Sequence, residues 1–418
     1  MDKIFTEMFA NPERWEKAIE IGKAKGINAN ELSLLCDPKV RMDLAVRIAT
    51  GNYEIAPPHM QLIPKDKPGE FRTVYINENI DRVFLQMCND ILMDLCKDMI
   101  HPSCKSYQSG IGCGKIVQEV SRHIAKLKRH DIGWKSDLSK YFDSVPLVAI
   151  HYVFDMVESK HGKSVIIDVL RKYYDSDWCF DTDGVLICHY QSLKQGCAVA
   201  SFLADALLYD MDASMSAFAK ENGGYYCRYS DDCLYVGCEY DNAMELMRMY
   251  LSEIQLTLNP KKVEYLTKDR WFKFLGFNIK GDKITLSKNR VKRFQKEIES
   301  RTKYSPQKSL NSVMRYLYGG EYSWATSVLP IINVEHDIAE LNKYVMDALR
   351  ATMTGKRKIG GLGCRTTGNY TILRGTGKNV KANSEKTPKI IDGYLTLGCA
   401  RNALLTNRAA YETLLRSI

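Results

Sequence analysis

Apolar and polar positions alternate along this chain in two distinct rhythms, and the switches between them outline its elements. The first fifty residues carry apolar side chains three and four apart in short stretches. That pattern predicts several short helices, with Asn30 as the cap of one helix start. Pro57-Pro58 ends this pattern. Two β-prone runs, Met60–Pro64 and Phe71–Ile76, then flank Lys65–Glu70, whose Pro-Gly centre predicts a hairpin. Helical spacing returns over 79–100. From Asp131 the texture is mixed: a short strand at 134–138, helix over 147–174, and a buried Ala- and Leu-rich helix over 196–215. Residues 224–237 read as two aromatic-rich strands around a polar turn. A helix at 241–254, strands at 271–279 and 283–286, helical pattern over 287–353 and a last helix at 394–416 follow. The predicted class is α+β.

Composition narrows the classes. The chain has 418 residues, length for two or three packed units, and 45% hydrophobic with 26% charged residues is the balance of a globular protein. No uninterrupted apolar run is long enough to span a bilayer, and the charged first residues lack a secretory core, so a cytoplasmic protein without membrane partner is expected. Thirteen cysteines, with no Cys-x-x-Cys pair, argue against a disulfide framework or zinc knuckle. The net charge is only +9, but residues 355–389 hold nine Lys or Arg against one acid, Glu385, among seven glycines. Arg357, Arg365, Arg374 and Lys378 in that stretch suit contact with a nucleic-acid backbone; the competing reading is a solvated loop. Gly375–Lys378 fails as a phosphate loop, because Ile372 stands where the first Gly is required and Asn379 where Ser or Thr is. The eight histidines form no spaced metal set.

Three carboxylates stand out. Asp137 follows a predicted strand, and Asp231 and Asp232 sit at the tip of the aromatic hairpin. An Asp pair in a turn is by itself ordinary turn chemistry. Three carboxylates converging from neighbouring strands would repel one another unless cations neutralised them, and oxygen ligands without His or Cys suit Mg²⁺ or Mn²⁺. Two such ions can serve phosphoryl transfer.

The order of these segments resembles a family. Tyr229-Ser-Asp-Asp is similar to the Tyr-x-Asp-Asp signature of reverse transcriptases, and Asp137–Asp143 to the first catalytic motif of the bacterial ones. Gln195-Gly196 before a Leu-Ala helix resembles the segment under the incoming nucleotide. Arg72, Ile80–Val83 and Gln86 resemble fingers motifs of group II intron and related enzymes. Leu258–Lys262 resembles the segment near the pyrophosphate, and Phe274–Phe277 the primer grip. These segments cover roughly residues 60–290.

The resemblance implies a right-hand polymerase: fingers with N-terminal helices over 1–130, an RRM-like palm over 131–286, a helical thumb over 287–353, and an extension over 354–418. It implies metal ligation by Asp137, Asp231, Asp232 and the Leu138 backbone carbonyl, with Lys262 donating a proton to the pyrophosphate. Lys65, Arg72, Phe142, Gln195 and Gly196 would bind the dNTP, with Phe142 crowding a ribose 2′-hydroxyl unless it is simply core. Tyr229, Phe274 and Gly276 would contact nucleic acid. Partners would be a non-coding RNA template or scaffold, a DNA primer or product, and dNTPs; oligomeric state is left open. Cys197-Ala-Val-Ala-Ser201 after Gln195-Gly196 departs from the family's usual Ser-Pro continuation, and no Cys/His endonuclease cluster follows. The chain therefore looks most like the stand-alone bacterial reverse transcriptases of anti-phage defence, the "unknown group" kind. Template-independent or protein-primed synthesis, and an RNA-binding module with vestigial activity, remain alternatives; a viral-type RNA polymerase fits less well.

Overall fold

The computed structural model describes residues 2–65, 69–108, 110–128, 131–354, 370–372, 379–381 and 393–416. The strands in chain order are β1 (His59–Pro64), β2 (Phe71–Ile76), β3 (Ile132–Asp137), β4 (Trp178–Phe180), β5 (Leu186–Cys188), β6 (Tyr225–Tyr229), β7 (Asp232–Gly237), β8 (Glu264–Leu266), β9 (Phe272–Phe274), β10 (Phe277–Lys280), β11 (Lys283–Leu286), β12 (Tyr370–Ile372) and β13 (Asn379–Lys381). Helices take most of the rest, so the expected mixed α and β class holds. The chain divides into two compact units, residues 1–111 with 130–266, and residues 112–129 with 267–418.

The first unit holds two sheets. One has the order β2-β1-β4-β5, its β1–β2 hairpin running from His59 opposite Ile76 to Pro64 opposite Phe71. The other has the order β6-β7-β3-β8 and is antiparallel throughout. Paired residues of an antiparallel ladder share a face, and successive residues alternate faces. Tyr226, Tyr235, Trp134 and Tyr265 are register partners across this second sheet and so form one aromatic row. Three of them meet the covering helices Tyr209–Glu221 and Tyr240–Glu253. Trp134 Nε1 donates to Tyr240 O at 3.0 Å, Tyr226 Oη to Asp212 at 2.8 Å, and the Phe218 and Tyr235 rings lie 6.2 Å apart. Burying such rings against helices is the largest apolar contribution available to a short sheet. By the same alternation Asp137, Asp232 and Tyr229, also register partners, occupy the opposite face.

The second unit pairs an antiparallel sheet β9-β10-β11 with the helix Cys113–Lys126, whose Ser121 hydroxyl donates to Gly281 O at 2.8 Å. The helices Lys288–Arg301, Pro306–Tyr318, Trp324–Val328 and Glu335–Thr354 follow; Phe294 and Trp324 join the first and third, ring centroids 4.5 Å apart. The last helices, Leu397–Thr406 and Arg408–Arg416, are preceded by Tyr394, whose hydroxyl donates to Asn342 at 3.0 Å. Of the basic stretch, β12 and β13 form a two-stranded ribbon, and Arg357, Arg365, Arg374 and Lys378 lie outside the described residues.

The elements differ from the sequence expectation at their ends. The helix cap is Asn28, not Asn30: its side chain accepts from Asn30 N at 2.9 Å. Gly162, at φ +85°, splits the helix expected over 147–174 into Leu147–His161 and Val165–Asp175, and Ser164 caps the second part. The turn at Leu275-Gly276 divides the strand expected over 271–279 into β9 and β10, as both residues take positive φ.

Candidate active site

The three carboxylates meet at one end of β3 and β7. Asp137 ends β3 opposite Asp232, the first residue of β7. Ser230 turns the hairpin in the left-handed conformation (φ +55°), and Leu138 N donates to Asp231 O at 2.9 Å, which carries the ladder one step further. The turn is what brings two adjacent aspartates to one place, since a continuous strand would send them to opposite faces.

Burial together with neighbouring negative charge raises both members of the pair. Asp232 is pushed up to about 7 by burial first and then by Asp137 and Asp231. Asp231 is raised by burial and by Asp137, against the pull of Lys262 and Arg72. Lys262 forms an ion pair with Asp137. Partial burial works against its charge, but the hydrogen bond to Asp137 and the three carboxylates hold its pKa above the ordinary range. The segment carrying Lys262 is fixed by the chain after β3: Asn259 N donates to Asp137 O at 2.9 Å, and Ser139 N to Thr257 O at 2.8 Å. Among the described residues no three His, Cys, Asp or Glu side chains stand ready as a metal cage. Asp137 is turned onto the Lys262 ammonium instead. That cation and the crowding of three carboxylates mark the negative charge that an oxygen-seeking divalent cation would offset, so the donor set fits Mg²⁺ or Mn²⁺.

Other sequence-selected residues gather around this point. Arg72 is exposed on β2, and its charge acts on both Asp231 and Asp143; that of Lys65 acts on Asp143. Phe142 is half-buried, stands edge-on to Tyr141 with centroids 5.7 Å apart, and packs against the core of its unit. Gln195 O accepts from Tyr75 N at 2.7 Å, which ties the Gln-Gly segment to β2. Gly196 has φ +113°, and a Cβ there would lie 2.8 Å from Tyr75 O, so the approach requires glycine. Tyr229 is half-buried on β6, 6.5 Å from the Tyr107 ring.

Phe274 and Gly276 belong to the second unit. Phe274 is 2% exposed, its ring in the core of that unit. Gly276 turns β9 into β10 at φ +81°, where a Cβ would meet Arg290 Nε at 2.6 Å. That guanidinium lies over the Phe277 ring, 4.3 Å from its centroid.

Sequence reasoning missed the support beneath the carboxylates. Arg228, wholly buried, binds Asp212 through Nε and Nη2 and donates through Nη1 to Ser230 O at 3.0 Å. Ser106 Oγ accepts from Ser230 N at 2.9 Å and donates to Asp205 at 2.7 Å. Burial raises Asp205 to about 6, and its Oδ2 has no partner among the described residues. An Arg directly before Tyr229 was visible in the sequence, but its inward direction follows only from the strand register.

The sequence carries a family match. Residues 63–279, just over half of the chain, match the reverse transcriptase (RNA-dependent DNA polymerase) family, and the chain belongs to it. No curated protein matches the chain. Among solved structures it is similar to apo telomerase from Candida tropicalis, with TM-score 0.48 and 14% identity over 72% of this chain and 59% of that one. Telomerase from Candida albicans, in complex with a fragment of telomeric RNA, gives 0.46 and 12% over 72% and 55%. An insertion-loop deletion mutant of the RNA-dependent RNA polymerase of a human picorbirnavirus gives 0.47 and 10% over 72% and 59%. The chain thus spans under two thirds of the length of each.

Proposed function

We propose that the chain is an RNA-directed DNA polymerase whose reacting centre is Asp137, Asp231 and Asp232. The observation that carries this reading is the register of Asp137 against Asp232, with Asp231 bound to the next residue of the ladder, inside a chain of reverse transcriptase family. The reaction is attack of a primer hydroxyl on the α-phosphate of a dNTP, with pyrophosphate leaving. Bound Mg²⁺ or Mn²⁺, held by the three aspartates and the Leu138 carbonyl, would activate the hydroxyl and offset charge on the leaving oxygens. Arg72 and Lys65 would grip the triphosphate, the guanidinium fork matching its oxygens. Lys262 would protonate the departing pyrophosphate, Phe142 would crowd a 2′-hydroxyl and so favour dNTPs, and Gln195 and Gly196 would support the nucleotide.

The template would be a dedicated non-coding RNA and the setting bacterial, cytoplasmic anti-phage defence. This finer reading rests on the departure at Cys197–Ser201 and on the basic stretch suited to an RNA backbone. The test purifies the chain with its co-purifying nucleic acid and measures Mg²⁺-dependent dNTP incorporation beside an Asp231→Ala, Asp232→Ala double variant. RNase-sensitive incorporation that is lost in the variant is expected. A bound RNA without any incorporation would sink the polymerase reading.

A further inference from the structure

Behind the Gln195-Gly196 segment lies a cavity of about 180 Å³ with an unusual wall. It is bordered by Lys25, at the end of the helix Pro12–Ala24, by Asn77 after β2, and by Arg82 and Gln86, one turn apart on the helix Asn79–Leu95. Ile21, Ile27, Val83 and Leu85 line the rest of it with apolar side chains, and Gly196 and Ala198 border it just before the helix Val199–Ala206. All of these belong to the first unit.

The side-chain groups left over at this wall are donors. Asn77 is 5% exposed; its Oδ1 accepts from Tyr173 Oη at 3.0 Å, and its Nδ2 has no partner among the described residues. A buried amide N–H without an acceptor is destabilising, so a bound acceptor would relieve a defect built into the fold. Arg82 has no side-chain hydrogen bond or ion pair among the described residues, and it is half-buried. Lys25 Nζ donates at 2.8 Å to Gln86 Oε1, a neutral amide. Burial and then the Arg82 charge lower the Lys25 pKa, which marks the two cations as neighbours. Asp90, the acid whose charge acts on Lys25, is already held by Gln86 at 2.9 Å and Lys17 at 3.2 Å. Two cations and an orphaned amide bordering one space form a site for an anion with several acceptor oxygens.

We propose that this cavity binds a phosphate group, that of a nucleic-acid strand running past Gln195-Gly196. At about 180 Å³ the cavity has room for a phosphate with its nearest waters. A strand can leave one phosphate there and carry its bases elsewhere, and this source rests on the polymerase reading above. A free mononucleotide shares the phosphate chemistry, so the experiment separates the two.

The test uses the full chain carrying Asp231→Asn and Asp232→Asn, so that no synthesis interferes. Calorimetry with inorganic phosphate, dAMP and a 12-nucleotide single strand compares this parent with a Lys25→Gln, Arg82→Gln double variant. A Lys23→Gln variant, neutralised on the same helix but off the cavity wall, is the control. The double variant is expected to weaken phosphate and strand binding at least tenfold. It should also lower the salt slope of strand binding by about one, with the control unchanged. Loss confined to phosphate and dAMP would assign the phosphate to a free nucleotide. Parent-like affinity and slope in a folded double variant would overturn the site. A wild-type chain that binds phosphate this way but incorporates no dNTP would sink the polymerase and leave the cavity standing. An active chain whose double variant binds like the parent would do the reverse.

Discussion

Arg228 Nη2 donates to Asp212 Oδ2 at 2.7 Å, with both side chains wholly removed from solvent. The same guanidinium holds Ser230 O, one residue before Asp231. The hairpin tip that presents the carboxylates is therefore anchored from the covered side of the sheet.

Replacing Arg228 with Met should destabilise the chain by about 3–5 kcal/mol, because Asp212 is left as an uncompensated buried charge. Urea denaturation measures it. Adding Asp212→Leu should recover much of the loss, and a double variant as unstable as Arg228→Met would show that the pair is not coupled.

The pH dependence of stability follows from Asp232, raised from 3.8 to about 7. A carboxyl raised on folding favours the native state below its unfolded value, and that contribution is lost as the pH rises through the folded value. The metal-free chain should lose unfolding free energy between about pH 4 and 7, and Asp232→Asn should flatten that decline. Mg²⁺ should raise the unfolding temperature more at pH 8 than at pH 5.5, since the carboxylates then need no proton to leave. Equal shifts at both pH values would contradict this account.

Gly196→Ala places a methyl 2.8 Å from Tyr75 O at φ +113°. The strain should cost about 1–3 kcal/mol and pull Gln195 away from β2. Thermal denaturation gives the first effect, and a raised KM for dNTP gives the second. A stable variant with normal KM would show that the segment does not support the nucleotide.

Phe142→Ala removes a half-buried ring, so its effect divides between packing and selection. Discrimination between dNTP and rNTP, read as the ratio of kcat/KM values, should fall about 10–100-fold. An unchanged ratio beside lowered stability would reduce Phe142 to core.

How much of this was legible before folding is clearest at individual positions. Asp137, Asp231, Asp232 and Gln195-Gly196 are close in sequence to their own motifs, and each motif is a local strand, turn or helix start. Hydrophobic period and turn chemistry reach that far, and they also gave the β1–β2 hairpin and the aromatic strands. They failed at helix interruptions such as Gly162 and at the Asn28 cap, where one residue's backbone conformation decides the boundary. The burial of Phe274 was not legible either, because an aromatic residue in a strand reads the same whether it faces core or solvent.

The sequence by itself determined the class of elements, the carboxylate set and the family, because those depend on local period and residue type. Only the tertiary structure decided which face each strand residue took, and with it the burial of Arg228 against Asp212 and the ion pair of Lys262 with Asp137. It alone brought Lys25, Asn77 and Arg82 to one cavity. Those relations join residues far apart in the chain, and the register of paired strands and the packing of helices, not any local preference, bring them together.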